Sequence, residues 1–292
     1  MSKTVHNVLT ARARLGEGPI WDDHARVLYW VDIYNHRVHQ FNPQTGGDRI
    51  WDVGEVVGAI ALTHSDRLIM VQRKQIAFLE LSTGHITPVT RLEEHLPDNR
   101  FNDGKCDAAG RFWFGSMCHE GKQGSLYRYD PDGSLHTMAT GLGISNGLGW
   151  SPDHQVFYLT DSREQTIFAY DFDLESGAIM NPRPVIDLSS ETFAPDGLTI
   201  DADGCIWSAM WDGWCVIRFT PTGKEIERIE MPVQRPTSCT FGGENWQNLY
   251  ITSASVGLSE VEIQQSFYSG DLFCVNGSTR GMLANRFGLS VE

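Results

Sequence analysis

Apolar residues along this chain come in six short bursts, each entered through a polar turn and followed by a second apolar run. The bursts are RVLYWVDI from Arg26, RLIMVQR from Arg67, RFWFGSM from Arg111, QVFYLTD from Gln155, CIWSAMW from Cys205 and NLYITSA from Asn248. The runs that follow are HRVHQFNPQTG, KQIAFLELSTG, GSLYRYDPDG, TIFAYDFDLESG, CVIRFTPTG and GDLFCVNG. Val, Ile, Tyr, Phe and Trp dominate both, and tails such as NPQTG and DPDGS carry turn formers, so the pattern predicts strands joined by tight hairpins. No stretch of about 12 residues shows a convincing 3.6-residue period, so no long helix is expected.

Nine residues before the first five bursts stand Glu17, Gly58, Asn102, Asn146 and Asp196; ten before the sixth stands Ser238. Successive anchors are 41, 44, 44, 50 and 42 residues apart. A constant offset inside a repeat of that length makes the six positions structurally equivalent. Several antiparallel strands per repeat, six times over, predict an all-β, six-bladed β-propeller occupying residues 1–292 as a single domain. The strand-like stretch Thr4–Thr10 is expected to complete the last blade and close the ring. A WD-repeat reading fails: Trp21-Asp22, Trp51-Asp52 and Trp211-Asp212 are out of phase with the repeat, and the Gly-His partner is missing.

In a propeller the innermost strands flank a central channel, so residues at one phase meet in a ring at one mouth. Here that ring reads Glu, Gly, Asn, Asn, Asp, Ser. Carboxylates and carboxamides aimed at a common axis oppose one another unless a positive charge lies between them, and a hard divalent cation suits an all-oxygen set. With few protein ligands, water and then substrate would fill the remaining positions, as at a catalytic metal. Asn-Gly and Asp-Gly are also ordinary turn sequences, but a turn role alone does not explain Glu17 in the same phase.

Composition narrows the function further. A net charge of −14 argues against nucleic acid or an anionic membrane as partner. No segment approaches the roughly 20 apolar residues of a membrane span. The N-terminal MSKTVHNVLTARARLGEGP shows neither the apolar stretch nor the cleavage site of a secretory signal, which reads as cytoplasmic. Cys106, Cys118, Cys205, Cys215, Cys239 and Cys274 form no CxxC pair and read as buried free thiols. Ser145 stands in GISNG (143–147), which has the GxSxG spacing, but the strand pattern offers no helix after it, so the strand-to-helix turn of a nucleophile elbow is not expected. The ten histidines form no HxH or HxxxH pair, so a histidine-rich zinc site is not expected. His119 falls near the expected mouth. Arg73 and Lys74 follow the second burst; the surface is their default place, and only on reaching the mouth would they favour a substrate with a carboxylate of its own. Trp21, Trp113, Trp150 and Trp207 read as core between blades.

The segments LGEGPIW (15–21), RFNDGKCDAAGRFWFGSM (100–117), ISNGLGWSPD (144–153), PDGLTIDADGCIW (195–207) and SCTFGG (238–243) together resemble the gluconolactonase–regucalcin (senescence marker protein) family of six-bladed propellers. The resemblance covers five of the six blades. It implies one divalent metal ion (Ca, Zn, Mg, Mn or Fe(II)) on Glu17, Asn146 and Asp196, with substrate contacts from Arg100, Asn102 and Glu120. It implies hydrolysis of aldono- or aldarolactones to sugar acids by a monomer or weak homo-oligomer. On this reading Asp196, bound through one oxygen, accepts the water proton on the other. A calcium-binding regulatory propeller without turnover, and a promiscuous organophosphate or aryl-ester hydrolase, are the competing readings.

Overall fold

The computed structural model describes residues 4–277 and 279–289. Among them the strands form six four-stranded antiparallel sheets. The first strand, β1 (Val5–Leu9), belongs to the last sheet. Blade 1 comprises β2 (Gly16–Asp22), β3 (Val27–Asp32), β4 (Arg37–Asn42) and β5 (Gly47–Asp52). Blade 2 comprises β6 (Val57–Leu62), β7 (Arg67–Gln72), β8 (Gln75–Glu80) and β9 (Ile86–Arg91). Blade 3 comprises β10 (Asn99–Cys106), β11 (Phe112–Cys118), β12 (Gly124–Tyr129) and β13 (Leu135–Leu142). Blade 4 comprises β14 (Ser145–Trp150), β15 (Val156–Asp161), β16 (Thr166–Asp173) and β17 (Ala178–Asp187). Blade 5 comprises β18 (Ala194–Ile200), β19 (Ile206–Trp211), β20 (Cys215–Phe219) and β21 (Glu225–Glu230). Blade 6 comprises β22 (Pro236–Gly242), β23 (Asn248–Ser253), β24 (Leu272–Asn276) and, outermost, β1, paired antiparallel to β24. Each apolar burst is the second strand of its blade, and the phased residues lie on the first. Those first strands touch in sequence, and β22 touches β2, so the ring is closed.

Packing follows the blades. One cluster of buried apolar side chains fills each gap between neighbours. Trp21, Trp113, Trp150 and Trp207 are all buried there, as their sequence positions predicted. Trp113 meets Trp150 edge-on with ring centroids 5.9 Å apart. Its indole N–H is satisfied by Asp107 at 2.9 Å, and that of Trp207 by Asp201 at 2.9 Å, so the polar edge of each ring is not left buried and unpaired. All six cysteines are buried free thiols.

One element lay outside the sequence pattern. A six-residue helix, α1 (Glu260–Gln265), sits in the β23–β24 connection and starts at a capping box formed by Ser259 and Glu262. It buries no residue of its own, so it leaves no periodic apolar signature to find. Among the described residues no helix is long and apolar enough to cross a membrane.

Candidate functional site

The first strands share one irregularity. Their pairing with the second strands breaks between Glu17 and Ile20, Val57 and Ala59, Phe101 and Gly104, Ser145 and Leu148, Pro195 and Leu198, and Pro236 and Ser238. Each break is a β-bulge at or beside the phased position. An extra residue there re-aims a side chain out of the ladder, and it does so in every blade.

At the mouth where the first strands begin lies a cavity of about 380 Å³. Glu17, Asn102, Asn146 and Asp196 line it. So do Leu15, Arg100, Ile144 and Ala194, each two residues earlier. A strand has a period of two, so a residue two places from the phase faces the same way. That rule, applied to the sequence, would have found the second set. Tyr34, Met117, His119, Ser162, Trp211, Arg235 and Val256 complete the wall.

Inside this cavity Glu17, Arg100, Asn102, Asn146 and Asp196 are buried, whereas Tyr34, Ser162 and Arg235 are partly exposed and His119 is exposed. Asn146 Nδ2 donates to Ser162 Oγ at 3.1 Å and to Asp196 Oδ1. The Asn146 side-chain oxygen is buried with no hydrogen-bond partner. Arg100 Nη1 donates to Asn102 Oδ1 at 2.6 Å and to the Phe101 carbonyl at 3.0 Å, while its buried Nε has no partner. Asn102 Nδ2 donates to the Ser145 carbonyl at 2.9 Å. The Arg100 guanidinium lies 5.6 Å from the centre of the Tyr34 ring. Arg235 pairs with Asp212 at 2.6 Å and lies over Trp211.

A third carboxylate, Asp103, was not singled out in the sequence. It stands one residue beyond the phase, where blades 1, 4 and 5 have Gly18, Gly147 and Gly197. Asp103 is buried, and its Oδ1 accepts the Gly104 N–H at 2.7 Å. Lys105, two residues on, reaches past blade 4 to blade 5 and donates to the Leu198 carbonyl at 3.0 Å. Burial pushes Glu17 well above the usual carboxylate range, reinforced by the negative charges of Asp196 and Asp103. Asp196 is raised in the same way, by burial and then by Asp103. Asp103 is itself raised by burial, against the pull of Lys105, whose own pKa burial lowers. Buried like charges disfavour full ionisation unless a cation joins them.

Among the described residues no three His, Cys, Asp or Glu side chains are grouped closely enough to hold a metal ion. The set that suits a hard cation mixes two carboxylates with an amide. The unpartnered Asn146 oxygen, beside Asp196 and with Glu17 coupled electrostatically to Asp196, supplies the oxygen chemistry a divalent ion takes.

Other expectations need correction. Lys74 is buried and donates to the carbonyls of Glu93 and Leu96, and Arg73 is exposed; neither lines the cavity. Both lie in the short turn between β7 and β8, where the two carbonyls hold the Lys74 ammonium. Gly58 and Ser238 are likewise absent from the lining. A Cβ on Gly58 would come within 2.6 Å of the Phe101 and Asn102 carbonyl oxygens, and Ser238 packs against Gly197; both are spacers between adjacent blades. Glu120 is exposed on the β11–β12 connection, next to His119 but outside the lining.

A closed six-bladed propeller with an acid-and-amide cavity at one mouth defines the class. Residues 15–255 match the SMP-30/Gluconolactonase/LRE-like region, and the chain belongs to that family. It is 37% identical to a regucalcin of Gallus gallus over 274 residues, spanning 91% of this chain and 92% of the relative. It is 35% identical to a pentonolactonase of Haloferax volcanii over 86% of this chain and 85% of that one. The crystal structure of a calcium-binding protein, regucalcin, from Agrobacterium tumefaciens superposes with a TM-score of 0.95 at 25% identity, covering 99% of both chains.

Proposed function

We propose that this protein hydrolyses sugar lactones, of the aldono or aldaro type, to the open-chain acids, with one divalent cation held by Glu17, Asn146 and Asp196. The observation that carries the reading is the buried Asn146 oxygen without a partner, set beside two carboxylates that burial drives toward their protonated forms. Kinship with a protein named pentonolactonase supports the substrate class.

When bound, the cation supplies Lewis acidity toward the lactone carbonyl and charge support for the oxyanion. Asp196 takes a proton from the attacking water as the water oxygen bonds to the carbonyl carbon. It returns that proton to the ring oxygen as the ester C–O bond breaks. With one oxygen toward the cation, the other oxygen of Asp196 would be the atom that accepts the proton. Arg100, with Nε free to donate, holds an oxygen of the lactone. Asn102, its amide oriented by the Ser145 carbonyl, places a substrate hydroxyl. Met117, Ile144 and Trp211 cover the less polar face of the sugar and exclude water. Glu120, exposed at the rim, enters as an outer substrate contact and contributes least.

The test is a panel of five- and six-membered sugar lactones, assayed by acid release with metal-stripped and reconstituted protein. Turnover restored by Ca²⁺, Zn²⁺, Mn²⁺, Mg²⁺ or Fe²⁺ is the expected result. No turnover on any lactone with any of these ions overturns the reading. Calcium binding without turnover would favour the second reading, a calcium-binding propeller, which the Agrobacterium relative's description supports.

A further inference from the structure

Behind the cavity two carboxylates repeat one another across blades. Asp32, the last residue of β3, accepts the backbone N–H groups of Arg14 at 3.1 Å and Leu15 at 3.2 Å. Asp161, the last residue of β15, accepts those of Gly143 at 2.8 Å and Ile144 at 3.0 Å. Arg14 and Leu15 lie three and two residues before Glu17; Gly143 and Ile144 lie three and two before Asn146. The main chain completes the same bracket: the Ile33 N–H donates to the Leu15 carbonyl at 2.9 Å, and the Ser162 N–H to the Ile144 carbonyl at 3.1 Å. Both carboxylates are almost fully buried.

The bracket is not a general feature of the blades. The matching positions in the others hold Arg73, Met117, Trp211 and Ser253. Only the blades carrying Glu17 and Asn146 have an acid there. Buried Asp107 and Asp201 serve the far end of their strands instead. Asp201, for example, accepts the Cys205 N–H, the Trp207 indole and the Arg218 guanidinium.

Ser162 adds a side-chain constraint. Its hydroxyl donates to the Pro195 carbonyl at 2.7 Å, beside Asp196. With its proton committed there, the hydroxyl can only accept from Asn146. The amide nitrogen must therefore face Ser162 and Asp196, which leaves the amide oxygen as the atom without a partner.

We propose that Asp32, Asp161 and Ser162 are positioning residues of the cation site. Asp32 sets the backbone that presents Glu17, Asp161 the backbone that presents Asn146, and Ser162 the rotation of the Asn146 amide. The inference rests on the reading of Glu17, Asn146 and Asp196 as ligands. Outer partners of this kind commonly govern metal affinity by about 10- to 100-fold.

The experiment uses the full chain, stripped of metal, as wild type, Asp32→Asn, Asp161→Asn, Ser162→Ala, Ser162→Thr and Asp201→Asn. Affinity for Ca²⁺ and for Mn²⁺ is measured by titration calorimetry, and Tm is measured alongside. Asp32→Asn, Asp161→Asn and Ser162→Ala are expected to weaken cation binding about 10- to 100-fold. Ser162→Thr, which keeps the hydroxyl, is expected to bind more tightly than Ser162→Ala. Asp201→Asn is expected to lower Tm with cation affinity unchanged. Ser162→Ala removes one oxygen from a partly exposed residue, so it tests the idea even where an aspartate variant fails to fold. Wild-type affinity retained by Ser162→Ala and by a folded Asp161→Asn overturns the positioning role alone. Equal weakening in Asp201→Asn overturns it too. A wild type that binds neither ion overturns the ligand assignment, and this inference with it.

Discussion

Glu17 and Asp196 sit where their own charge is opposed, and the opposition sets a direction for pH effects. Both have pKa values raised above the usual carboxylate range, by burial first and by neighbouring carboxylates second. The folded, metal-free protein therefore holds protons that the unfolded chain has already released. Their linkage contribution is favourable below the raised pKa and is lost as pH rises through it. A cation needs the ionised forms, so its affinity should climb across that same window. The gap in Tm between calcium-loaded and stripped protein should widen as pH rises out of the ordinary carboxylate range; a gap independent of pH would contradict this. Kinetics separate the roles of individual residues. Asp196→Asn is expected to lower kcat by about 10²-fold or more. Asn102→Ala is expected to act mainly on KM, by roughly 5- to 150-fold for one substrate hydrogen bond of about 1–3 kcal/mol. Steady-state measurements on the best lactone of the panel distinguish the two patterns. Glu17, Asn102, Asn146 and Asp196 were legible in the sequence because each stands at one offset from an apolar burst. Asp103 was not, because it lies one step off phase, where three other blades have glycine. Lys74 misled because chain position near a mouth does not say which way a hairpin turns a side chain.

At the scale of the strand, the bulge is what converts a repeat into a site. Without it the phased residue would remain in the ladder; with it a carboxylate or amide leaves the sheet plane and enters the cavity. The bulge was not legible, since it is a property of register between two strands rather than of either sequence. Close approach of neighbouring first strands depends on glycine at a few points. Gly58 is the clearest, with backbone oxygens of the next blade 2.6 Å from where a Cβ would stand. Gly58→Ala is therefore expected to cost about 1–3 kcal/mol of stability, read from denaturant midpoints. It should also raise KM, because the displaced backbone carries Asn102. An unchanged midpoint would show that the ring has slack at this joint. The blades themselves were legible because alternating apolar bursts and turns are local signals. Helix α1 was not, being one capped turn with no buried face.

Across the whole molecule, the two ends of the chain secure the ring at different places. β1 pairs with β24 and so protects the outer edge of blade 6. Residues 281–288 cross the other mouth, where Arg286 pairs with Asp22 at 2.7 Å and Asp23 at 3.1 Å, and Phe287 stacks on Tyr129. The strand nature of residues 5–9 was readable from the sequence, whereas the crossing by the tail was not, as no regular element marks it. Removing residues 1–9 is expected to lower Tm and to promote self-association through the bared β24 edge, measured by calorimetry and light scattering. A truncated protein that stays monomeric with an unchanged Tm would deny β1 that role. The pairing of β1 with β24 also orders events in time. β1 is made before β24 and must wait, single and unsatisfied, until the strands between them have been made. Until β24 emerges the propeller is thus an open arc, and its pairing with β1 is what lets the circle lock.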